Sequence, residues 1–257
     1  MITSIHNPKI QRIRALLSNR QERHQQQVFV LEGIRLMEEA VRSNWRIEHV
    51  IFSSTISPRG KIIIEECVKK GIPTDEVPDT VIASISDTEA SQGILAVTAI
   101  VTLPVPSSLD FVLIADNIRD PGNLGTLLRT AAAAAVNLVV LTPGTADVYN
   151  PKVVRAAMGA HFNIPIQTVD WSEINTRFKP GLKFLLAEME NSVPLWQVDF
   201  HEPLAIIIGG EAEGASEEAR LLSDQAINIP MSGKTESLNA AIAAGIILFE
   251  VVRQRKL

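Results

Sequence analysis

Apolar and polar positions along the chain fall into blocks that predict alternating strands and helices in both halves. In the second half, short and largely unbroken apolar runs occur at 111–115, 138–141, 184–187, 204–208 and 226–229. Runs without polar alternation belong to strands covered on both faces, so they predict a parallel sheet. Helical spacing fills the gaps, at 124–135, 151–158, 172–178, 216–222 and 236–253. The last helix is apolar nearly all round from Ala240 to Val252, so the sheet, another chain, or both must cover its outer face. In the first half, Ile10, Ile13 and Leu17 share one face of a predicted helix over 8–24. Strands are predicted at 28–31, 49–52 and 92–101, with helices at 34–43 and 61–70. This order predicts a small α/β domain.

Between the halves, residues 102–109 carry Pro104, Pro106, Ser107 and Ser108 with no apolar period, which is linker composition. Two domains are expected, 1–101 and 110–257. No internal repeat is visible.

Composition narrows the function. Aromatics are 5% of 257 residues, too few for a surface of rings that stack successive bases. A net charge of −5 excludes nucleic-acid binding by bulk charge and leaves room for a local basic patch. Such a patch exists: Lys9, Arg12, Arg14, Arg20 and Arg23 crowd the first predicted helix, with Arg35 in the next. Its two readings are a solvated face and a phosphate-contacting surface. The single cysteine, Cys67, excludes an internal disulfide and a cysteine zinc cage, and it reads as a small buried residue. The five histidines have no ligand-like spacing, so no metal is expected. Neither a signal-peptide core at the start nor a run approaching the roughly 20 apolar residues of a membrane span is present. A soluble cytoplasmic protein is expected.

Three loops follow predicted strands and carry the candidate chemistry. The first runs from Asp116 through Asn123 to Arg129, the second from Gly209 to Gly214, and the third from Ile229 to Asn239. Loops at the carboxyl ends of parallel strands are where open α/β sheets place ligands. A P-loop fails, because Gly233-Lys234-Thr235 needs a glycine where Asn228 stands. A dinucleotide fingerprint fails, because Gly122 and Gly125 follow Asp120 rather than a first glycine. No Gly-x-Ser-x-Gly elbow is present. The loops suit a ligand held by main chain and small polar groups. Gly209, Gly210 and Gly214 would let the backbone approach it, with Ile229, Met231 and Leu238 as an apolar wall. Ser237 reads equally as a helix cap or a substrate contact.

These residues carry a family likeness. Asn117-Ile118-Arg119-Asp120-Pro121-Gly122-Asn123-Leu124-Gly125-Thr126-Leu127-Leu128-Arg129-Thr130-Ala131 resembles the first motif of the SpoU/TrmH class of RNA ribose methyltransferases. Ile208-Gly209-Gly210-Glu211-Ala212-Glu213-Gly214 resembles the second. Ile229-Pro230-Met231 with Ser237-Leu238-Asn239-Ala240-Ala241 resembles the third, except that the family often has Val-Ser where this chain has Ala240-Ala241. Residues 150–160 match as well, and Phe29-Val30-Leu31-Glu32-Gly33 with Gln92-Gly93-Ile94-Leu95-Ala96 resembles the amino-terminal substrate-binding domain of many members.

The resemblance implies S-adenosylmethionine as methyl donor and an RNA ribose 2′-hydroxyl as acceptor, with ribosomal RNA favoured over transfer RNA. It implies an α/β carboxy-terminal domain tied in a trefoil knot, and a homodimer with its sites at the subunit interface. It makes Arg129 the leading catalytic residue, with Asn123, Glu211, Ser237 and Asn239 as partners, and Gly209, Ile229, Met231 and Leu238 as cofactor contacts. Glu213 is expected to be exposed. Since a guanidinium is a poor base at neutral pH, Arg129 is expected to clamp an RNA phosphate and the developing alkoxide. RNA is expected on Lys9, Arg12, Arg14, Arg20, Arg23 and Arg35; Arg155 reaches RNA or pairs within the dimer. The rival readings are a transfer-RNA methyltransferase, a non-catalytic RNA-binding relative, and a small-molecule α/β enzyme such as a nucleotide-dependent oxidoreductase.

Overall fold

The computed structural model describes residues 2–86, 91–211, 214–233 and 237–256. Glu213 and the stretch 234–236, including the Lys234-Thr235 pair and the expected start of the last helix, lie outside the described residues. In chain order the first elements are α1 (Pro8–Ser18), α2 (Arg20–Gln26), β1 (Val28–Glu32), α3 (Ile34–Arg42), β2 (Ile47–Ser53), α4 (Pro58–Lys69), β3 (Thr74–Val77), α5 (Asp79–Ile85) and β4 (Ile94–Ala99). Then come β5 (Phe111–Asp116), α6 (Pro121–Ala133), β6 (Leu138–Leu141), α7 (Pro151–Ala157), β7 (Ile166–Thr168), α8 (Trp171–Arg177) and β8 (Lys183–Ala187). The chain ends with β9 (Val193–Pro194), β10 (Leu204–Gly209), α9 (Glu217–Leu222), β11 (Gln225–Asn228) and α10 (Ala240–Lys256). Two compact units result: Met1–Val101 with Asp147–Phe162, and Thr102–Ala146 with Asn163–Leu257.

Helix starts follow local chemistry. Asn7, Ser57, Asp120 and Asn150 each cap a helix whose first turn carries a proline. The single helix expected over 8–24 is two. Asn19 is extended (φ −121°, ψ 116°), and its side chain accepts the Gln21 N–H, which ends α1 and starts α2.

The first unit holds a four-stranded sheet in the order β1-β4-β2-β3. The central β4 runs antiparallel to β1 and β2, while β2 and β3 are parallel. It is thus a mixed sheet. Strand β3 and helix α5 escaped the apolar pattern, since β3 is a polar, half-exposed edge strand and α5 is short. Ile10, Ile13 and Leu16 of α1 pack on Val28, Val30, Leu95 and Val97 to form the core.

This unit also draws on residues 147–162, which the sequence reading assigns to the second domain. The physical reason is a buried contact set. Arg23 donates to Asp147 at 2.6 and 3.1 Å, and Arg155 lies 3.7 Å from Glu32. Phe29 meets Tyr149, and Trp45 meets Phe162, each at a ring separation of 5.0 Å.

The second unit is a seven-stranded sheet, β7-β6-β5-β10-β8-β11-β9, parallel throughout. Its central strands are apolar and buried along almost their whole length, as a sheet covered on both faces requires. Val105 and Leu109 of the expected linker pack against this core. Because all strands point one way, the chain leaves β5, β10, β8 and β11 at a common edge, and the three candidate loops gather there. Among the described residues, no helix is long and apolar enough to cross a membrane.

Candidate active site at the carboxyl edge of the parallel sheet

The edge holds a cavity of about 520 Å³. All four expected cofactor contacts, Gly209, Ile229, Met231 and Leu238, line it, and so do Glu211, Ser237 and Asn239. Strand β11 ends at Asn228, so the main chain at 229–231 has left the sheet ladder. Sequence reasoning missed the wall made by Glu188 and Met189 after β8, and by Ala243 and Ile247 on α10. Their signal is positional only: they follow a parallel strand or face it from a helix.

At the rim, three motif side chains form one hydrogen-bond chain. Asn123 Nδ2 donates to Glu211 Oε1 at 2.5 Å, and Asn239 Nδ2 donates to Asn123 Oδ1 at 2.8 Å. The two asparagines are anchored from behind. The Asn123 N–H is held by Asp120 Oδ1 (2.7 Å), and Asn239 Oδ1 accepts the N–H groups of Ala241 and Ile242, capping α10. Capping of α10 therefore belongs to Asn239, and Ser237 stands on the cavity wall. Glu188 is fastened from outside by Arg220, whose Nε and Nη2 donate at 2.7 and 2.6 Å, and this pair raises the guanidinium pKa further.

Gly209 and Gly210 line the cavity as expected and also meet a demand of the loop itself. A Cβ on Gly209 would stand 2.6 Å from Ala215 N, and one on Gly210 would stand 2.6 Å from the Asn117 carbonyl oxygen. They let the second loop fold tightly on itself and on the first loop.

Arg129 does not line the cavity. It follows Asn123 by six positions on α6, which turns the two side chains about 120° apart. It is exposed, and among the described residues no hydrogen bond or ion pair engages it. Helix α6 packs on α10, and α10 exposes Ile242 and Phe249 at 56% and 49%.

The basic run of the first unit is mostly occupied. Lys9 pairs with Asp75 at 2.6 Å, and Asp75 also binds His49, so its carboxyl is held below the usual range. Arg12 pairs with Glu48 and Gln26, and Arg14 reaches Ser84. Arg23 is 3% exposed and locked to Asp147, so its expected RNA contact gives way to a structural role. Arg20 and Arg35 are exposed, and neither is paired among the described residues. Arg155 faces Glu32 of its own chain.

Residues 110–249 match the family model of the SpoU rRNA methylase family. The chain belongs to this family. Residues 7–96 match the MRM3-like substrate binding domain. Among SpoU relatives, the Bacillus subtilis (strain 168) 23S rRNA (guanosine(2553)-2′-O)-methyltransferase is 32% identical, with 97% of this chain and 98% of that protein covered. The AdoMet-bound rRNA methyltransferase of Sinorhizobium meliloti superposes with a TM-score of 0.86 at 30% identity, covering 98% and 97% of the two chains. The A. aeolicus TrmH/SpoU tRNA modifying enzyme matches over 58% of this chain and 77% of its own, with a TM-score of 0.51 at 27% identity.

SpoU enzymes use S-adenosylmethionine, and the cavity suits it. Its volume lies in the range of roughly 300–1,000 Å³ typical of small-molecule sites. The charged groups among its described lining residues are Glu188 and Glu211, both acidic. A sulfonium cation is welcome there. A dinucleotide pyrophosphate would meet two carboxylates and no cation among the described lining residues, which argues against the oxidoreductase reading.

Proposed function

We propose that this chain transfers a methyl group from S-adenosylmethionine to a ribose 2′-hydroxyl of ribosomal RNA. The observation that carries this is the Glu211–Asn123–Asn239 chain at the rim of the acidic cavity, built from all three motif loops. The bound cofactor supplies an electrophilic methyl carbon, so the protein's task is alignment, exclusion of water and management of the hydroxyl proton. Alignment of this kind is worth roughly 7–11 kcal/mol. Gly209, Ile229, Met231 and Leu238 hold the cofactor. Asn123, locked from both sides, and Ser237 orient the ribose.

Ribosomal RNA is favoured over transfer RNA because the likeness to rRNA methyltransferases runs through both units. The likeness to the tRNA enzyme stops near half the chain. The first unit selects the RNA, with Arg20 and Arg35 as the cations available to phosphates. Arg129 acts as a clamp for phosphate and alkoxide through its planar fork. Its exposure away from the cavity of its own chain, with exposed Ile242 and Phe249 on α10, supports a homodimer in which each chain's Arg129 serves the partner's cavity. We further infer a trefoil knot, implied by the family, and a cytoplasmic location.

The test is methyl-labelled donor with purified 23S rRNA, followed by mapping of 2′-O-methylation. Label on a ribose oxygen is expected. Arg129→Lys is expected to bind S-adenosylhomocysteine normally and lose most turnover, and full turnover would refute the clamp. Phe249→Asp is expected to yield monomers by light scattering.

A further inference from the structure

We propose that Asp116 is a positioning residue for the cofactor cavity, acting through the main chain of three loops. This inference rests on the methyltransferase reading above. Asp116 is the last residue of β5, pairs in register with Gly209 of β10, and is 1% exposed. Its Oδ2 accepts the Ser216 N–H at 2.7 Å, at the point where the glycine loop ends and α9 begins. Its Oδ1 accepts the Thr142 hydroxyl at 3.1 Å, just beyond β6. The Thr142 oxygen in turn accepts the Asn117 N–H at 3.0 Å, at the start of the first motif loop. One buried carboxylate thus ties together the chain leaving β5, β6 and β10.

The tie matters because the cavity floor is main chain. Gly209 and Gly210 line the cavity, and Gly210 rests against the Asn117 carbonyl closely enough that even a Cβ would not fit. Asn117 itself has φ 55°, a left-handed turn that its N–H bond to Thr142 helps hold. The glycine loop also carries Glu211, the anchor of Asn123. Without the carboxylate, the buried Thr142 hydroxyl and the half-buried Ser216 N–H lose their acceptor, and the loop that shapes the cavity loses its tether at Ser216. Asp116 does not line the cavity, so its action is indirect.

The experiment compares Asp116→Ala, Asp116→Asn and Thr142→Val in the full chain. The readouts are S-adenosylhomocysteine affinity by calorimetry and amide exchange of peptides spanning 209–220 by mass spectrometry. Asp116→Ala is expected to weaken binding by roughly tenfold or more, about 1.4 kcal/mol per decade, and to speed exchange in those peptides. Asp116→Asn should recover affinity to within about threefold. Its amide oxygen can accept from Ser216 while its NH2 donates to the second lone pair of Thr142. An Asp116→Ala protein that binds like the native chain overturns the proposal, as does an Asn variant as weak as Ala. If Asp116→Ala does not fold, Thr142→Val decides: binding weakened several-fold with faster exchange supports the tie, and native binding overturns it. A native chain that fails to bind S-adenosylhomocysteine would instead defeat the methyltransferase reading.

Discussion

Replacing Gly209 by alanine tests the demand that loop geometry makes on that glycine. The new Cβ would stand 2.6 Å from Ala215 N, 2.7 Å from Ala215 Cα and 2.8 Å from the Gly214 carbonyl carbon. Comfortable carbon contacts lie near ~3.5–4.0 Å, so the loop must retreat by roughly 0.8 Å. All three obstacles are backbone, so no rotamer change relieves them. Overpacking of this kind costs about 1–3 kcal/mol. For a chain of this size that lowers Tm by roughly 2–10 °C. The same retreat carries Glu211 away from Asn123, since both ends of the loop are pinned by the Gly210–Gly214 bridge. Differential scanning fluorimetry should show the fall, and calorimetry with S-adenosylhomocysteine should show weaker binding. Gly181→Ala is the control, because nothing lies within 4 Å of its Cβ position. It should leave binding intact and raise stability by about 0.4–1 kcal/mol through the unfolded chain. A Gly209→Ala protein with native Tm and native affinity would refute the reasoning.

Other consequences follow from Arg23, His161 and Asn239. Arg23→Ala strands the buried Asp147 carboxylate, so it should destabilise by about 3–5 kcal/mol, read as a large fall in the unfolding midpoint. His161 is buried against Phe29 and Tyr149, and burial pushes its pKa from 6.5 down to about 4. Between these values the unfolded chain binds the extra proton, so stability is intact above pH 6.5 and falls as pH drops towards 4. At about 1.4 kcal/mol per pH unit the loss reaches about 3 kcal/mol. His161→Leu should flatten that part of the pH–stability profile, and an unchanged slope would count against it. Asn239→Ala removes the α10 cap and frees Asn123. It should lower stability by about 1 kcal/mol and reduce turnover more than it weakens cofactor binding, as a split of kcat against Kd would reveal.

The legibility of the chain varied with element type. Apolar strands such as Leu138–Leu141 stood out because burial on both faces leaves no polar position to confuse the pattern. The polar edge strand Thr74–Val77 and the two-residue Val193–Pro194 did not, since an edge needs no apolar face and so short a strand has no period. The expected basic surface changed most. Charge spacing put Lys9, Arg12, Arg14 and Arg23 together, but their acidic or carbonyl partners, Asp75, Glu48, Ser84 and Asp147, lie 36 to 124 residues away. No local pattern reveals a partner at such a distance.

What the sequence alone determined was the inventory: a parallel sheet from unbroken apolar runs, helices from the apolar spacing between them, and three polar loops at strand ends. Those features arise from interactions among neighbours, and neighbours are written in order. Only the tertiary structure decided that Asn123, Glu211 and Asn239 touch, that Arg129 faces elsewhere, and that residues 147–162 belong to the first unit. Those outcomes depend on the angle at which each helix leaves its strand and on which distant carboxylate reaches a buried guanidinium. Both are products of packing the whole chain at once.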